Sequence, residues 1–240
     1  LTVTGVQTCA LPIYVLGVYD LLERLHRDYP GLLIEGCSGG GGRFDAGMLY
    51  YTPQIWCSDN TDAIDRLRIQ CGTSFCYPVS TVGAHVSAVP NGQTNRSTSM
   101  ETRGVVAMCG TFGYEMDLGK CTAEEKAVVR EQVRTFKERC RLIQEGDYYR
   151  LTDPFRNRDY TAWQHVSPDR REALVSLVTG STWAAKPFLT LRLKGLDPNA
   201  LYRVNGGERR YSGDQLMYAG YPIPPQQGDY QAVQLYLEAE

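Results

Sequence analysis

The chain has 240 residues with a net charge of −2, and 42% of the residues are hydrophobic and 22% charged. This length and composition predict one large or two smaller folded domains and exclude a disordered chain. The nearly neutral charge argues against a protein that binds duplex nucleic acid, and no apolar run approaches the roughly 20 residues that span a bilayer.

The N-terminal residues differ from the rest of the chain. Residues 1–13 lack an initial Met and the pattern of a signal peptide, and they favour no clear helix or strand. We therefore expect residues 1–13 to be a foreign or disordered segment. An amphipathic helix is predicted from Tyr14 to Tyr29, and Pro30 ends it.

Short apolar strands and helices alternate over the next segment. Strands are predicted at residues 32–35 and 54–57, and the four glycines Gly39–Gly42 follow the first of them. A helix is predicted from Asp62 to about Gln70, with Asn60 or Thr61 as its N-cap. Residues 77–80 are predicted to form a third strand.

The clearest helix of the chain begins at Thr122, which forms a capping box with Glu125, and ends at Gly146. Residues 90–98 are predicted to be a loop, and residues 103–108 are helical or mixed. The alternation of strands and helices predicts a parallel sheet, either open or closed into a barrel, over residues 14–153. Short runs separated by turn residues predict a small antiparallel β-domain over residues 154–240.

The eight cysteines show no Cys-x-x-Cys spacing, and none is followed by a histidine at the distance typical of a zinc site. We therefore expect no structural zinc site. Free thiols in a core of this size are typical of a reduced, cytoplasmic protein.

Two loops carry residues suited to chemistry, because ligands of parallel α/β folds bind where strands end. The first loop, residues 35–45, lets backbone N–H groups approach a ligand at its glycines. A phosphate site, a purely structural loop, and mutual bracing of Arg43 and Asp45 are the alternatives there. The Gly-Lys-Ser/Thr ending of a phosphate-binding P-loop is absent.

The second loop, residues 56–62, places Asp59 three positions after Trp56. A carboxyl in a partly apolar aromatic pocket has a raised pKa, which suits a general acid. The alternative is that Asp59 or Asp62 only caps the following helix. His85 also follows a predicted strand, where it either donates to a ligand or serves a structural role.

Several motifs together resemble the α-galactosidases of glycoside hydrolase family 36. The resemblance rests on residues 37–45 (Cys-Ser-Gly-Gly-Gly-Gly-Arg-Phe-Asp), 58–66 (Ser-Asp-Asn-Thr-Asp-Ala-Ile-Asp-Arg), 78–87, 110–115 and 211–214. It runs from about Tyr14 to the C-terminus. It implies the C-terminal part of a (β/α)₈ TIM barrel followed by a small antiparallel β-sandwich domain.

The resemblance also implies a retaining, metal-independent hydrolysis of terminal α-D-galactosides such as melibiose and raffinose. It makes Asp59 the general acid/base. It assigns galactosyl contacts to Cys37, Ser38 and Gly40, and Trp56 is expected to form a wall of the pocket. A homotetramer is implied by the resemblance alone.

The family's nucleophile is the aspartate of a Lys-Trp-Asp motif, which does not occur in these 240 residues. We therefore expect the chain to be the C-terminal part of a longer α-galactosidase and to be inactive alone. A non-catalytic carbohydrate-binding protein and a phosphosugar- or nucleotide-binding domain are the two other hypotheses.

Overall fold

A computed structural model describes residues 5–185 and 187–240. The chain divides into two compact units, residues 1–59 and residues 60–240, and each is treated separately below. Across the described ranges, no helix combines the length and the apolar character that crossing a membrane requires.

The first unit consists of helices around one pair of parallel strands. Its elements are α1 (Gly5–Asp28), β1 (Glu35–Gly36), the single turn α2 (Ser38–Gly41), α3 (Ala46–Tyr51) and β2 (Gln54–Ile55). Strands β1 and β2 pair in parallel, with Gly36 opposite Ile55. Their core consists of Leu22, Met48 and Ile55, with Val18, Leu25, Ile34 and Phe44 packed against it.

Helix α1 begins nine residues earlier than the pattern predicts, at Gly5 instead of Tyr14. The expectation that residues 5–13 form no helix is therefore wrong. Pro12 lies inside this helix, where it removes one backbone donor, so the local sequence favours an interruption that the fold does not contain. Residues 1–4 lie outside the described residues, and the foreign origin of residues 1–13 stays a prediction.

The short strands of this unit are displaced or shortened relative to the prediction. Strand β1 begins at Glu35, so of residues 32–35 only the last is paired, and Leu33 is 88% exposed. Strand β2 ends at Ile55. Apolar character alone predicts a strand, whereas its length depends on how many residues a partner strand can pair.

The second unit begins with a further helix and strand alternation. Its first elements are α4 (Ala63–Thr73), β3 (His85–Ser87), α5 (Met100–Ala107), β4 (Gly113–Glu115) and α6 (Ala123–Glu145). Strands β3 and β4 are parallel, with His85 opposite Gly113. The capping box at the start of α6 is confirmed, because the Thr122 side chain accepts from the Glu125 N–H and the Glu125 carboxylate accepts from the Thr122 N–H.

The strand predicted at residues 77–80 is wrong. Residues Val79–Thr81 form a turn of 3₁₀ helix, and the strand lies further along, at His85–Ser87. The Thr81 hydroxyl and N–H both donate to the Pro78 carbonyl oxygen, at 2.7 and 3.1 Å. This local hydrogen bonding by a hydroxyl competes with strand formation.

The C-terminal part of the second unit is an antiparallel β-domain, as predicted. Its elements are β5 (Asp147–Arg150), β6 (Tyr160–Val166), β7 (Glu172–Thr179), β8 (Leu189–Leu191), β9 (Leu201–Val204), β10 (Arg210–Ser212), β11 (Tyr221–Ile223) and β12 (Ala232–Ala239). Six strands form one sheet in the order β10-β9-β12-β7-β6-β5, and β8 pairs with β11.

The six-stranded sheet is covered on both faces, so its central strands are almost continuously buried. One face packs into the core of the β-domain through residues such as Ala162 and Leu177. The other face, through Trp163 and Leu174, packs against the helical part of the same unit. The sheet also includes β5, which lies before residue 154. The domain boundary expected at residue 154 stays a prediction.

Candidate functional site

The candidate site lies at the carboxyl ends of β1 and β2, within the first unit. Because the two strands are parallel and in register, the residues that follow them leave the sheet at the same edge. The Trp56 N–H donates to the Gly36 carbonyl oxygen at 2.7 Å and continues this pairing. The two loops that sequence analysis singled out therefore start side by side.

The loop after β1 is a left-handed turn. The backbone φ angles are 57° at Ser38, 63° at Gly39, 75° at Gly40 and 90° at Gly41. The Gly41 N–H donates to the Cys37 carbonyl oxygen at 2.7 Å, which closes one turn of opposite hand to an ordinary helix. Such a conformation costs roughly 1–2 kcal/mol for each residue with a side chain, so the consecutive glycines are required by the backbone.

This turn packs directly against the loop that carries Asp59. A Cβ atom at Gly40 would lie 2.6 Å from the Asp59 backbone nitrogen and 3.2 Å from the Asp59 carboxyl carbon. A Cβ at Gly41 would lie 3.0 Å from the Cys57 carbonyl oxygen. The absence of side chains at these glycines is what permits the contact, and it holds the Asp59 carboxyl beside the turn.

Asp59 is exposed and does not cap a helix. The N-cap of α4 is Asp62, which excludes the capping role for Asp59 and corrects the cap expected at Asn60 or Thr61. The Asp59 side chain is exposed, whereas the sequence predicted that it would lie in a partly apolar aromatic pocket. Trp56, the aromatic residue of that expectation, is 9% exposed.

The remaining predicted contact residues lie on the same turn. Cys37 is exposed, and Ser38 and Gly40 are half-buried. The first unit thus brings together Cys37, Ser38, Gly40 and Asp59 at one edge, with Trp56 on the adjoining strand end.

Arg43 and Asp45 do not brace each other. Arg43 donates to the Tyr14 hydroxyl at 2.9 Å, and Asp45 accepts from the Tyr19 hydroxyl at 2.7 Å and from the Met48 N–H at 2.8 Å. Burial by itself raises the pKa of Asp45, but these hydrogen bonds outweigh burial and hold it below its usual value.

The Asp45 carboxylate occupies the N-terminus of α3, the helix that follows the glycine turn. A phosphate bound at a glycine-rich loop would need that position for itself, because helix N-termini attract anions. The geometry therefore disfavours the phosphate alternative.

A polar network in the second unit was missed by sequence analysis. Asp62 is 2% exposed, caps α4 through the N–H groups of Ile64 and Asp65, and accepts from the Thr94 hydroxyl at 2.5 Å. Arg96 donates to the same carboxylate. Burial raises the pKa of Asp62, but the Thr94 hydroxyl, the helix N–H groups and the Arg96 guanidinium outweigh it and lower the pKa overall.

The loop 90–98 belongs to this network. Asn91 donates to the Thr61 hydroxyl at 2.9 Å and accepts from the N–H groups of Gln93 and Thr94. The sequence signal was present as a cluster of Asn, Thr and Arg in one polar loop. The loop sequence did not predict that Asn91 would bind Thr61, because the two residues are 30 positions apart along the chain.

His85 lies within β3 and not after a strand, and its Nδ1 is 3.5 Å from the Glu115 carboxylate on β4. This pairing supports the structural interpretation of His85. Within residues 12–185 and 187–240, whose side chains the structure describes, no three His, Cys, Asp or Glu side chains converge in a way that would hold a metal ion.

Comparisons with known proteins agree over nearly the whole chain. The melibiase family model matches residues 4–146, and the model of the glycosyl hydrolase family 36 C-terminal domain matches residues 160–237. The bifunctional alpha-galactosidase/sucrose kinase AgaSK of Mediterraneibacter gnavus is 59% identical over 221 residues, which cover 92% of this chain and 24% of that protein.

Solved structures agree as well. An α-galactosidase from Lactobacillus brevis is 43% identical with a TM-score of 0.94, covering 99% of this chain and 33% of that one. A variant of the family 36 α-galactosidase AgaA of Geobacillus stearothermophilus, solved in complex with raffinose, is 49% identical with a TM-score of 0.92. That match covers 95% of this chain and 31% of the AgaA chain. The chain thus spans 24–33% of the length of these relatives.

These similarities confirm the expected fold class, the C-terminal part of a (β/α)₈ barrel followed by an antiparallel β-sandwich domain. The melibiase family model by itself covers more than half of the 240 residues. The chain therefore belongs to the melibiase family, within glycoside hydrolase family 36.

Proposed function

We propose that the complete enzyme containing this chain is a retaining α-galactosidase that removes terminal non-reducing α-D-galactose from sugars such as melibiose and raffinose. In this proposal Asp59 is the general acid/base. Cys37, Ser38 and Gly40 contact the galactosyl group, and Trp56 forms part of the pocket wall. No metal or other cofactor takes part.

The observation that carries the proposal is the contact between the glycine turn and Asp59. The carboxyl carbon of Asp59 lies 3.2 Å from the position of a Gly40 Cβ, so a proton donor stands beside an open backbone surface. A galactosyl ring offers hydroxyl groups that the exposed backbone and the Ser38 hydroxyl can bind. The family membership and the AgaA variant solved with raffinose support this assignment.

The chemistry follows from the needs of a retaining glycosidase. Asp59 donates its proton to the glycosidic oxygen as the bond to the anomeric carbon breaks, and it then takes a proton from the water that releases galactose. The second carboxyl group lies about 5 Å from the first in such enzymes, and it attacks the anomeric carbon to form a covalent glycosyl-enzyme intermediate as the leaving group departs. By family resemblance it belongs to a Lys-Trp-Asp motif, which these 240 residues do not contain. We therefore expect this chain to hydrolyse galactosides only together with the segment that supplies it.

The test is Asp59→Asn in the complete enzyme, assayed on two substrates. Raffinose has a poor leaving group that must be protonated, whereas dinitrophenyl α-galactoside has a good one that leaves without a proton. We expect hydrolysis of raffinose to fall by about 10²–10⁴-fold, the usual contribution of general acid catalysis. Cleavage of the dinitrophenyl bond should fall much less.

Asp28→Asn is the matched control, because Asp28 is an exposed carboxylate at the end of α1 whose one ion-pair partner in the described part of the chain is its neighbour Arg27. It should leave both activities unchanged. Both losses are compared as kcat/KM, which reports cleavage of the glycosidic bond and not the later release of galactose. An equal loss of kcat/KM on both substrates, or full activity of Asp59→Asn on raffinose, would refute the acid/base role.

A non-catalytic carbohydrate-binding protein is the alternative. It predicts that the complete protein binds raffinose without releasing galactose, and that Asp59→Asn changes neither binding nor turnover. A homotetramer and a cytoplasmic location also remain proposals. Light scattering of the complete enzyme tests the homotetramer. The seven cysteines described as free thiols support a location in a reducing compartment.

A further inference from the structure

The second unit contains a polar cleft whose lining includes none of the residues assigned to galactoside cleavage. It has a volume of about 410 Å³ and is bordered by α4, by the start of β6 and by the residues that follow β7. Its size falls within the range of small-molecule sites, which is roughly 300–1,000 Å³. The side chains that matter below are Arg68, Arg96, Asn157, Arg158, Tyr160 and Ser181.

The cleft carries an excess of positive charge. Arg96 is neutralised by the buried Asp62 and lies 3.5 Å from Asp65, the acidic residue of the lining. Arg68 and Arg158 have no carboxylate partner among the described residues, and the Arg68 Nε donates to the Pro154 carbonyl oxygen at 3.2 Å. Two guanidinium groups are thus left without a counter-charge beside one cavity.

The rest of the lining offers neutral hydrogen-bonding groups. The Asn157 side-chain oxygen accepts from the N–H groups of Asp159 and Tyr160, at 2.9 and 3.3 Å, so its amide N–H groups remain to donate. Ser181 and Tyr160 add hydroxyl groups to the cleft wall. Such donors and acceptors suit sugar hydroxyls, and a volume of 410 Å³ far exceeds what a bare phosphate fills.

We propose that this cleft binds a phosphorylated monosaccharide, with the phosphoryl group on Arg68 and Arg158 and the sugar hydroxyls on Asn157, Tyr160 and Ser181. Guanidinium groups bind phosphoryl oxygens through paired, charge-assisted hydrogen bonds, which makes arginine the usual residue for this task. None of the residues assigned to the galactosyl group or to proton transfer lines this cleft, so the ligand proposed here is a second one.

The test is calorimetric titration of the complete enzyme with glucose 6-phosphate, inorganic phosphate and glucose, at one fixed ionic strength. We expect glucose 6-phosphate to bind more tightly than phosphate, and glucose not to compete with it. Arg158→Gln and Arg68→Gln should each weaken binding of glucose 6-phosphate by about tenfold or more, as expected for loss of a charge-assisted hydrogen bond. Both variants should retain α-galactosidase activity, which also shows that they fold.

Arg156→Gln is the matched control, because Arg156 lies two residues from Arg158 but pairs with Asp153 at 3.6 Å outside the cleft lining. It should bind glucose 6-phosphate as the native enzyme does. No binding of any phosphate compound, or equal binding by the Arg68→Gln/Arg158→Gln double variant, would overturn the proposal. Binding of inorganic phosphate as tight as that of glucose 6-phosphate would overturn the role of the sugar.

Discussion

Replacing Gly40 by alanine tests the contact on which the candidate site depends. The new Cβ would lie 2.6 Å from the Asp59 backbone nitrogen. An ordinary non-bonded separation is roughly 3.5 Å, so the turn and the Asp59 loop must move apart by nearly 1 Å. A displacement of that size can cost about 10²-fold in rate when it moves a catalytic group.

Two separate costs add in this variant. The left-handed backbone at Gly40, with φ at 75°, costs about 1–2 kcal/mol of folding stability for any residue that carries a Cβ. The steric contact adds about 1–3 kcal/mol, which is the usual range for overpacking. We therefore expect Gly40→Ala to lose activity by about 10²-fold and to be less stable by about 2–5 kcal/mol.

Gly39→Ala separates the two costs. Gly39 has almost the same φ, 63°, but a Cβ there meets no atom within 4 Å. Alanine at this position should therefore show the backbone cost of about 1–2 kcal/mol and keep its activity.

Both variants are made in the complete enzyme. Urea denaturation gives the free energies of unfolding, and hydrolysis of p-nitrophenyl α-galactoside gives kcat and KM. If kcat/KM falls by the same factor in Gly39→Ala and Gly40→Ala, steric displacement of Asp59 is not the cause of the loss. The contact between Gly40 and Asp59 would then have no role in activity.

Three further predictions concern the stability of the second unit. Burial lowers the pKa of His165 to about 4, and its ring nitrogens have no hydrogen-bond partner among the described residues, so the folded state holds the ring neutral. Between about pH 6.5, the unfolded pKa, and pH 4, only the unfolded chain binds a proton on this ring. The free energy of unfolding is therefore highest above about pH 6.5 and falls by about 3 kcal/mol as the pH drops to 4. In His165→Leu, the free energy of urea unfolding should lose this part of its pH dependence. Asp62→Ala should cost about 1–3 kcal/mol, because it removes the N-cap of α4 and the nearer of the two carboxylates beside Arg96. Urea unfolding of Asp62→Ala/Arg96→Ala should show part of the loss restored, and no recovery would contradict the ion pair. Thr122→Ala should cost about 1 kcal/mol in thermal unfolding through loss of the capping box, whereas a cost near zero would mean that the box contributes nothing.

Local sequence patterns predicted the parts of the fold that local interactions stabilise. The capping box at Thr122 joins groups only three residues apart, and the long helix that follows it was predicted almost to its ends. The antiparallel domain of residues 154–240 was also predicted, because turn residues separate its short apolar runs. Where hydroxyl groups offered the backbone a local alternative, as at Thr81, the strand prediction failed.

The candidate site divides in the same way. The sequence by itself determined which residues are chemically suited, since Asp59 is an acid after a predicted strand and four consecutive glycines let a backbone approach a ligand closely. Only the tertiary structure decided that Gly40 touches Asp59, that Asp45 binds Tyr19 and not Arg43, and that Arg96 pairs with Asp62. The physical reason is distance along the chain: residues 40 and 59 meet because two parallel strands pair in one register, and no pattern within either loop specifies that register.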